Sequence, residues 1–162
     1  MKLHFRKHQQ FLPIPLEVAW GFFSSPHNLN EITPADMQFE IITREIPRMY
    51  AGQIIQYNVT PFPFLKISWV TEITRVENMK MFVDEQRFGP YSFWHHQHIF
   101  EQRDGGVLMT DIIHYKVPFG IVGKLANILV VKRKVNAIFE YRTKVLQNKF
   151  GKSTLLEKEV NG

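Results

Sequence analysis

The 162-residue chain is predicted to fold as an α+β domain. A curved antiparallel sheet of about seven strands would carry two short helices after its first strand and a long C-terminal helix packed across it. Three observations lead there. Apolar and polar residues alternate along most of the chain, the mark of strands with one buried face. The alternating stretches are joined by short turns, so neighbours in sequence become antiparallel neighbours in a sheet. From about residue 119 the period changes to steps of three and four, which is helical.

The first strand covers residues 2–12, with Leu3, Phe5 and Phe11 on one parity and His4, Arg6 and His8 on the other. Pro13 and Pro15 end it, and Pro15 suits the first turn of a helix, where a missing N–H costs nothing. Leu16, Val18, Ala19, Trp20, Phe22 and Phe23 form that helix. Pro26 to Ile32 makes a second one, stopped by Thr33-Pro34. Strands follow at 37–45, 53–60, 65–74, 82–88, 94–103 and 106–117, the last two joined by Asp104-Gly105. That pair favours a type I′ turn, with positive φ at both central residues. Ile121, Leu125, Ile128, Val131, Val135, Ile138, Phe139, Arg142, Val145 and Leu146 then mark one face of a helix running to about Phe150. Residues 1–150 form a single domain without internal repeats, and 151–162 are expected to be a flexible polar tail.

Composition bounds the function. A hydrophobic content of 44% with 14 Phe supplies a substantial core. The net charge of +5 collects toward the C-terminus, at Lys132, Arg133, Lys134, Arg142, Lys144, Lys149 and Lys152. No interleaving of basic and aromatic residues accompanies it, so a solvated helix face is expected and nucleic-acid binding is not. No run approaches the ~20 apolar residues of a membrane span, so stable membrane insertion is not expected. The absence of cysteine removes disulfides and thiolate chemistry. With no secretory pattern at the N-terminus, a cytoplasmic location is expected.

Several local phrases carry a resemblance. They are Pro15 followed by Trp20-Gly21-Phe22-Phe23, Pro26-His27-Asn28-Leu29, Ile32-Thr33-Pro34, Asp84-Glu85-Gln86-Arg87-Phe88-Gly89-Pro90-Tyr91, Trp94-His95-His96-Gln97-His98-Ile99-Phe100 and Ile138-Phe139-Glu140-Tyr141-Arg142. With the element order, they resemble the helix-grip fold of the START/birch-pollen-allergen/polyketide-cyclase (SRPBCC) superfamily, in one bacterial branch, over about residues 1–150. The resemblance implies binding of lipids, polyketides or other hydrophobic molecules, with cyclase or dehydratase chemistry in some members. Similar domains also occur fused to epimerase-like domains.

One stretch stands out chemically: the strand face bearing Trp94, His96, His98 and Phe100. A two-residue loop at Asp104-Gly105 pairs Arg103 with Gly106, which sets His98 against Asp111 and Trp94 against Tyr115. A turn from Gly89 to Phe93 pairs Phe88 with Trp94 and sets Asp84 against His98. Parity then gathers Asp84, Gln86, His96, His98, Asp111 and Tyr115 with Phe82, Phe88, Phe100, Met109 and Ile113, a surface apolar enough to face inward. Buried carboxylates need partners, and an imidazole between them is a natural one. Three readings stay open: a satisfied polar core network, the polar end of a ligand cavity, or an acid–base site. In the last, His98 or His96 would be oriented by Asp111 or Asp84. The spacing is not a dedicated metal motif, so neither a metal nor a cofactor is expected. No nucleophile motif is present either.

The expected function is binding of a hydrophobic, lipid-, polyketide- or isoprenoid-like small molecule between sheet and helix. The alternatives are a cyclase- or dehydratase-type enzyme using the same His/Asp set and a non-catalytic protein-interaction module with an unspecified partner. Expected ligand contacts are Trp69, Phe82, Asp84, Gln86, Trp94, His96, His98, Phe100, Met109, Asp111, Tyr115, Ile128, Val131, Val135 and Phe139.

Overall fold

The strands are β1 (His4–Leu12), β2 (Glu40–Ile41), β3 (Gln53–Phe62), β4 (Leu65–Glu77), β5 (Met81–Phe88), β6 (Phe93–Arg103), β7 (Gly106–Lys116) and β8 (Lys158–Asn161). The helices are α1 (Leu16–Phe23) and α2 (Lys132–Phe150). The computed structural model describes residues 3–44, 48–62, 64–118, 131–152 and 158–161. All strands form one antiparallel sheet in the order β2-β3-β4-β5-β6-β7-β1-β8. This is the expected helix-grip architecture, with a long C-terminal helix against the sheet. Residues 119–130, including Ile121, Leu125 and Ile128, lie outside the described residues.

Local chemistry accounts for the elements, with differences from expectation. Pro15 precedes α1, and the helix buries Ala19, Trp20, Phe22 and Phe23. Trp20 sets its edge on Phe82 and Phe100, at centroid distances of 6.1 and 5.5 Å. Each such ring taken from water contributes roughly 1.5–3 kcal/mol. The expected second helix is a short 3-10 turn, Pro26–Leu29, and the strand expected at 37–45 is reduced to Glu40–Ile41. A 3-10 turn at Ala35–Met37 and left-handed Gln38 (φ 43°) occupy the approach to that strand. At the β6–β7 hairpin only Gly105 takes positive φ (77°), so the turn is not type I′. The segment expected to be a flexible tail contributes β8, whose backbone pairs with β1 from Arg6↔Asn161 to Gln9↔Lys158.

In β1 the polar parity faces inward. Arg6 and Gln10 are buried, whereas Leu3 is 39% exposed, because β1 is opposed to β7 with His8 across from Asp111. Gln10 donates from Nε2 to the Thr143 carbonyl of α2 (3.2 Å), and His8 Nε2 lies 3.3 Å from Thr143 Oγ1. The helix is thus joined to the sheet by polar as well as apolar contacts. Its buried stripe is Val135, Phe139, Arg142, Thr143 and Leu146.

Candidate functional site

The register sets the site. β6 and β7 pair as expected, with Arg103↔Gly106, His98↔Asp111 and Trp94↔Tyr115. Between β5 and β6, however, Asp84 stands opposite His96 and Phe82 opposite His98, two residues from expectation. A shift of two keeps every side chain on its face. Gln86 clamps the connection: Nε2 donates to the Tyr91 carbonyl at 2.6 Å, and the Tyr91 N–H donates back to Oε1 at 3.1 Å. Gly89 makes room for this clamp, since a Cβ there would lie 2.5 Å from Gln86 Oε1. Phe88 does not face inward. The β4–β5 register shifts between Val70↔Phe88 and Thr71↔Gln86, and this bulge turns Phe88 out to 72% exposure.

Four side chains close into a ring. His96 Nε2 lies 2.9 Å from Asp111 Oδ1, and His98 Nε2 lies 2.9 Å from Asp84 Oδ2. The second nitrogen of each imidazole faces the other carboxylate: His96 Nδ1 is 3.3 Å from Asp84 Oδ2, and His98 Nδ1 is 2.9 Å from Asp111 Oδ1. The last contact lacks hydrogen-bond geometry, and His98 Nδ1 is buried without a hydrogen-bond partner among the described residues. Trp94 Nε1–H donates to the remaining oxygen of Asp84 at 3.2 Å. The two imidazole centroids are 3.8 Å apart.

Electrostatics follows from burial and opposite charge. Burial works against a charged His96, but Asp84 and Asp111 outweigh it and push its pKa up to about 9. Burial also opposes ionisation of Asp84 and Asp111, yet the two imidazoles hold both carboxyls well below the usual range.

Between the sheet, α1 and α2 lies a cavity of about 310 Å³. Of the residues expected to contact a ligand, Trp69, Phe82, Asp84, Trp94, His96, His98, Val131, Val135 and Phe139 line it. Five other expected contacts lie off the wall. Gln86 is occupied by its turn, and Asp111 sits behind the histidines, 3% exposed. Phe100 and Met109 are packed into the core around Trp20 and Leu146, and Tyr115 is packed with Ile113 and Val135. Ile128 lies outside the described residues.

Sequence reasoning missed Tyr57, Thr71, Tyr91 and Arg142, all on the cavity wall. Tyr57 and Thr71 share a hydroxyl–hydroxyl hydrogen bond of 3.0 Å. Burial, and secondarily Asp84, raises the Tyr57 phenol's pKa. Arg142 was counted both in the helix's apolar stripe and among its solvated basic residues; it is only 8% exposed, with its guanidinium carbon 5.1 Å from the Phe139 ring centroid. Burial pulls its pKa down against the opposing pull of Asp111, Asp84 and Tyr57. Its Nε, like Trp69 Nε1, is buried without a hydrogen-bond partner among the described residues. The available signal was its spacing: Val135, Phe139, Arg142 and Leu146 form one helical stripe, and a cation on an apolar stripe needs a reason.

Among the described residues no helix is long and apolar enough to cross a membrane. No protein-family model matches the chain, and no curated protein does. Solved structures do. A Thermus thermophilus protein is similar at 16% identity over 90% of this chain and 98% of its own, with a TM-score of 0.67. Major latex-like protein 151 of Panax ginseng is similar at 14% identity, covering 91% and 97%, with a TM-score of 0.64. A nucleoside-diphosphate sugar epimerase of Corynebacterium glutamicum, at 21% identity and a TM-score of 0.62, covers 88% of this chain, which spans only 28% of that one. At these identities the likeness is one of architecture: the chain has the helix-grip fold.

Proposed function

We propose that the protein binds a small, mainly apolar molecule carrying an acceptor oxygen, held in the cavity between sheet and C-terminal helix. The observation that carries this reading is the combination of an apolar-lined cavity with two unmet donors. A volume of about 310 Å³ lies at the lower end of small-molecule sites, which run to about 1,000 Å³. Trp69 Nε1 and Arg142 Nε are buried without a hydrogen-bond partner among the described residues, and an unmade buried hydrogen bond costs about 1–3 kcal/mol. A carbonyl or carboxylate oxygen on the ligand would relieve that cost, and the lipid-, polyketide- and isoprenoid-like classes include such molecules. Mass spectrometry of the natively purified protein tests the reading. One small-molecule adduct is expected, released on denaturation and lost in Arg142→Met. Protein that carries no adduct and takes up none from an apolar extract would overturn it.

A second reading is acid–base catalysis of the cyclase or dehydratase type on the bound molecule. It is supported by His98, which reaches the cavity wall while its Nε2 sits 2.9 Å from Asp84. Under it, His98→Gln would abolish turnover of the ligand identified by mass spectrometry while the adduct is still retained. Adduct without turnover in the unaltered protein leaves the binder alone.

A further inference from the structure

We propose that Asp84, His96 and His98 form a binding site for one divalent first-row transition-metal ion that opens on the cavity. His96 and His98 stand two apart on β6 and so project to the same side, and Asp84 lies opposite His96 on β5. One donor atom from each of the three lies within 4.8 Å of the other two. Asp84 Oδ2 is 3.3 Å from His96 Nδ1 and 2.9 Å from His98 Nε2. Nitrogen and oxygen ligands bound at about 2.0–2.2 Å to one ion stand about 3 Å from one another, so the spacing fits.

The surroundings are those of ligands held in place. Asp111 Oδ1 lies 2.9 Å from the far nitrogen of each ring, His96 Nε2 and His98 Nδ1. Trp94 donates to the oxygen of Asp84 that points away from the rings. Metal-binding imidazoles commonly give their second N–H to a carboxylate, as the hydrogen bond between His96 Nε2 and Asp111 allows, which fixes tautomer and orientation. Asp111 is off the cavity wall, whereas the three ligands are on it. The open coordination positions would therefore face the apolar space.

Counting protons points the same way. Four ring nitrogens face carboxylate oxygens, but a neutral imidazole carries one N–H and one lone pair. With one ring protonated the other still sets a lone pair against a carboxylate, and His98 Nδ1, in a residue only 8% exposed, has no hydrogen bond among the described residues. An ion using the lone pairs of His96 Nδ1 and His98 Nε2 leaves both remaining N–H groups for Asp111. Its two charges also balance the two buried carboxylates. Two imidazoles and one carboxylate suit zinc, cobalt or ferrous iron, whereas calcium and magnesium prefer oxygen ligands alone.

The site does not depend on which apolar molecule the cavity holds, and the metal alone tests it. Full-length, tag-free protein stripped with chelator would be titrated with Co²⁺ and followed by its visible absorption. One equivalent is expected, with little competition from Mg²⁺ or Ca²⁺. Asp84→Asn and His98→Gln are expected to weaken it on the order of 100-fold, and Asp111→Asn by about 10–100-fold. The double variant His95→Ala/His114→Ala, on the outer face of the same strands with ring centroids 6.4 Å apart, should bind unchanged. Should the ligand variants not fold, imidazole ¹⁵N spectra of the unaltered protein with Zn²⁺ decide, with shifts expected at His96 Nδ1 and His98 Nε2. No uptake of Co²⁺ or Zn²⁺ at sub-millimolar concentration, or shifts confined to His95 and His114, would overturn the proposal. Adduct binding without metal uptake would leave the proposed function standing and remove this site.

Discussion

The inner faces of β5, β6 and β7 are two different surfaces laid end to end. At one end Phe82, Phe100, Val107 and Met109 pack against Trp20, Phe23 and Leu146 in a filled apolar core. At the other, Asp84, His96, His98 and Asp111 form a closed polar ring beside Trp94, with open space above. At the boundary Phe82 is stacked on His98, with centroids 4.1 Å apart and planes 21° from parallel. The same strands thus supply cohesion at one end and chemical capacity at the other. The cavity end keeps Trp69 Nε1, Arg142 Nε and His98 Nδ1 without hydrogen-bond partners among the described residues.

Substitutions at the two ends should separate these roles. Phe100→Ala is expected to have the largest effect, lowering unfolding free energy by about 4 kcal/mol in a denaturant titration. The folded fraction should keep its affinity for ligand and metal. Asp111→Ala should follow, at about 3 kcal/mol, because it strips a buried partner from both imidazoles. Unlike Phe100→Ala, it should also weaken metal uptake.

The pH dependence of the metal-free protein is the next expected effect. His96 is raised from 6.5 to about 9, so its stabilisation is complete below pH 6.5 and is lost as pH rises toward 9. Asp84 and Asp111 are lowered, so theirs is present above about pH 4 and is lost in more acid solution. Thermal melts should therefore peak between roughly pH 4 and 6.5, with a loss of a few kcal/mol at most on the alkaline side. A Trp94→Phe variant that flattened the alkaline limb would shift the cause from the carboxylates to the indole. Arg142→Met should change stability by only about 1 kcal/mol in either direction, since the charge it removes forms no ion pair among the described residues, yet abolish the adduct. Phe88→Ser should be the quietest, within about 0.5 kcal/mol and without effect on binding.

Much of the fold was legible because alternation and period report burial directly. The β6–β7 register followed from a two-residue hairpin, and with it the opposition of His98 and Asp111. The β5–β6 register did not, because its turn length depends on Gln86 reaching Tyr91, a side-chain contact that leaves no periodic trace. Parity still placed Asp84 with the histidines, since a shift of two is silent on faces. Phe88 was misplaced for the opposite reason: a bulge inserts a single residue, and a single residue inverts the face. In β1 hydrophobicity gave the wrong inward side. Arg6 and Gln10 face inward there, where His8 opposes Asp111. Arg142 was hidden by its company, a run of exposed cations on the other side of the same helix.

The order of the sheet carries one more consequence. Its two margins are the shortest strands, β2 (Glu40–Ile41) and β8 (Lys158–Asn161). Among the described residues the nine-residue β1 is paired on its outer side with β8, along four residues. Clipping the chain after Lys152 would bare that row of backbone donors and acceptors, an adhesive margin for a second molecule. Proteolytic trimming of those ten residues would then register as a change in colloidal behaviour, with the cavity and its polar ring left untouched.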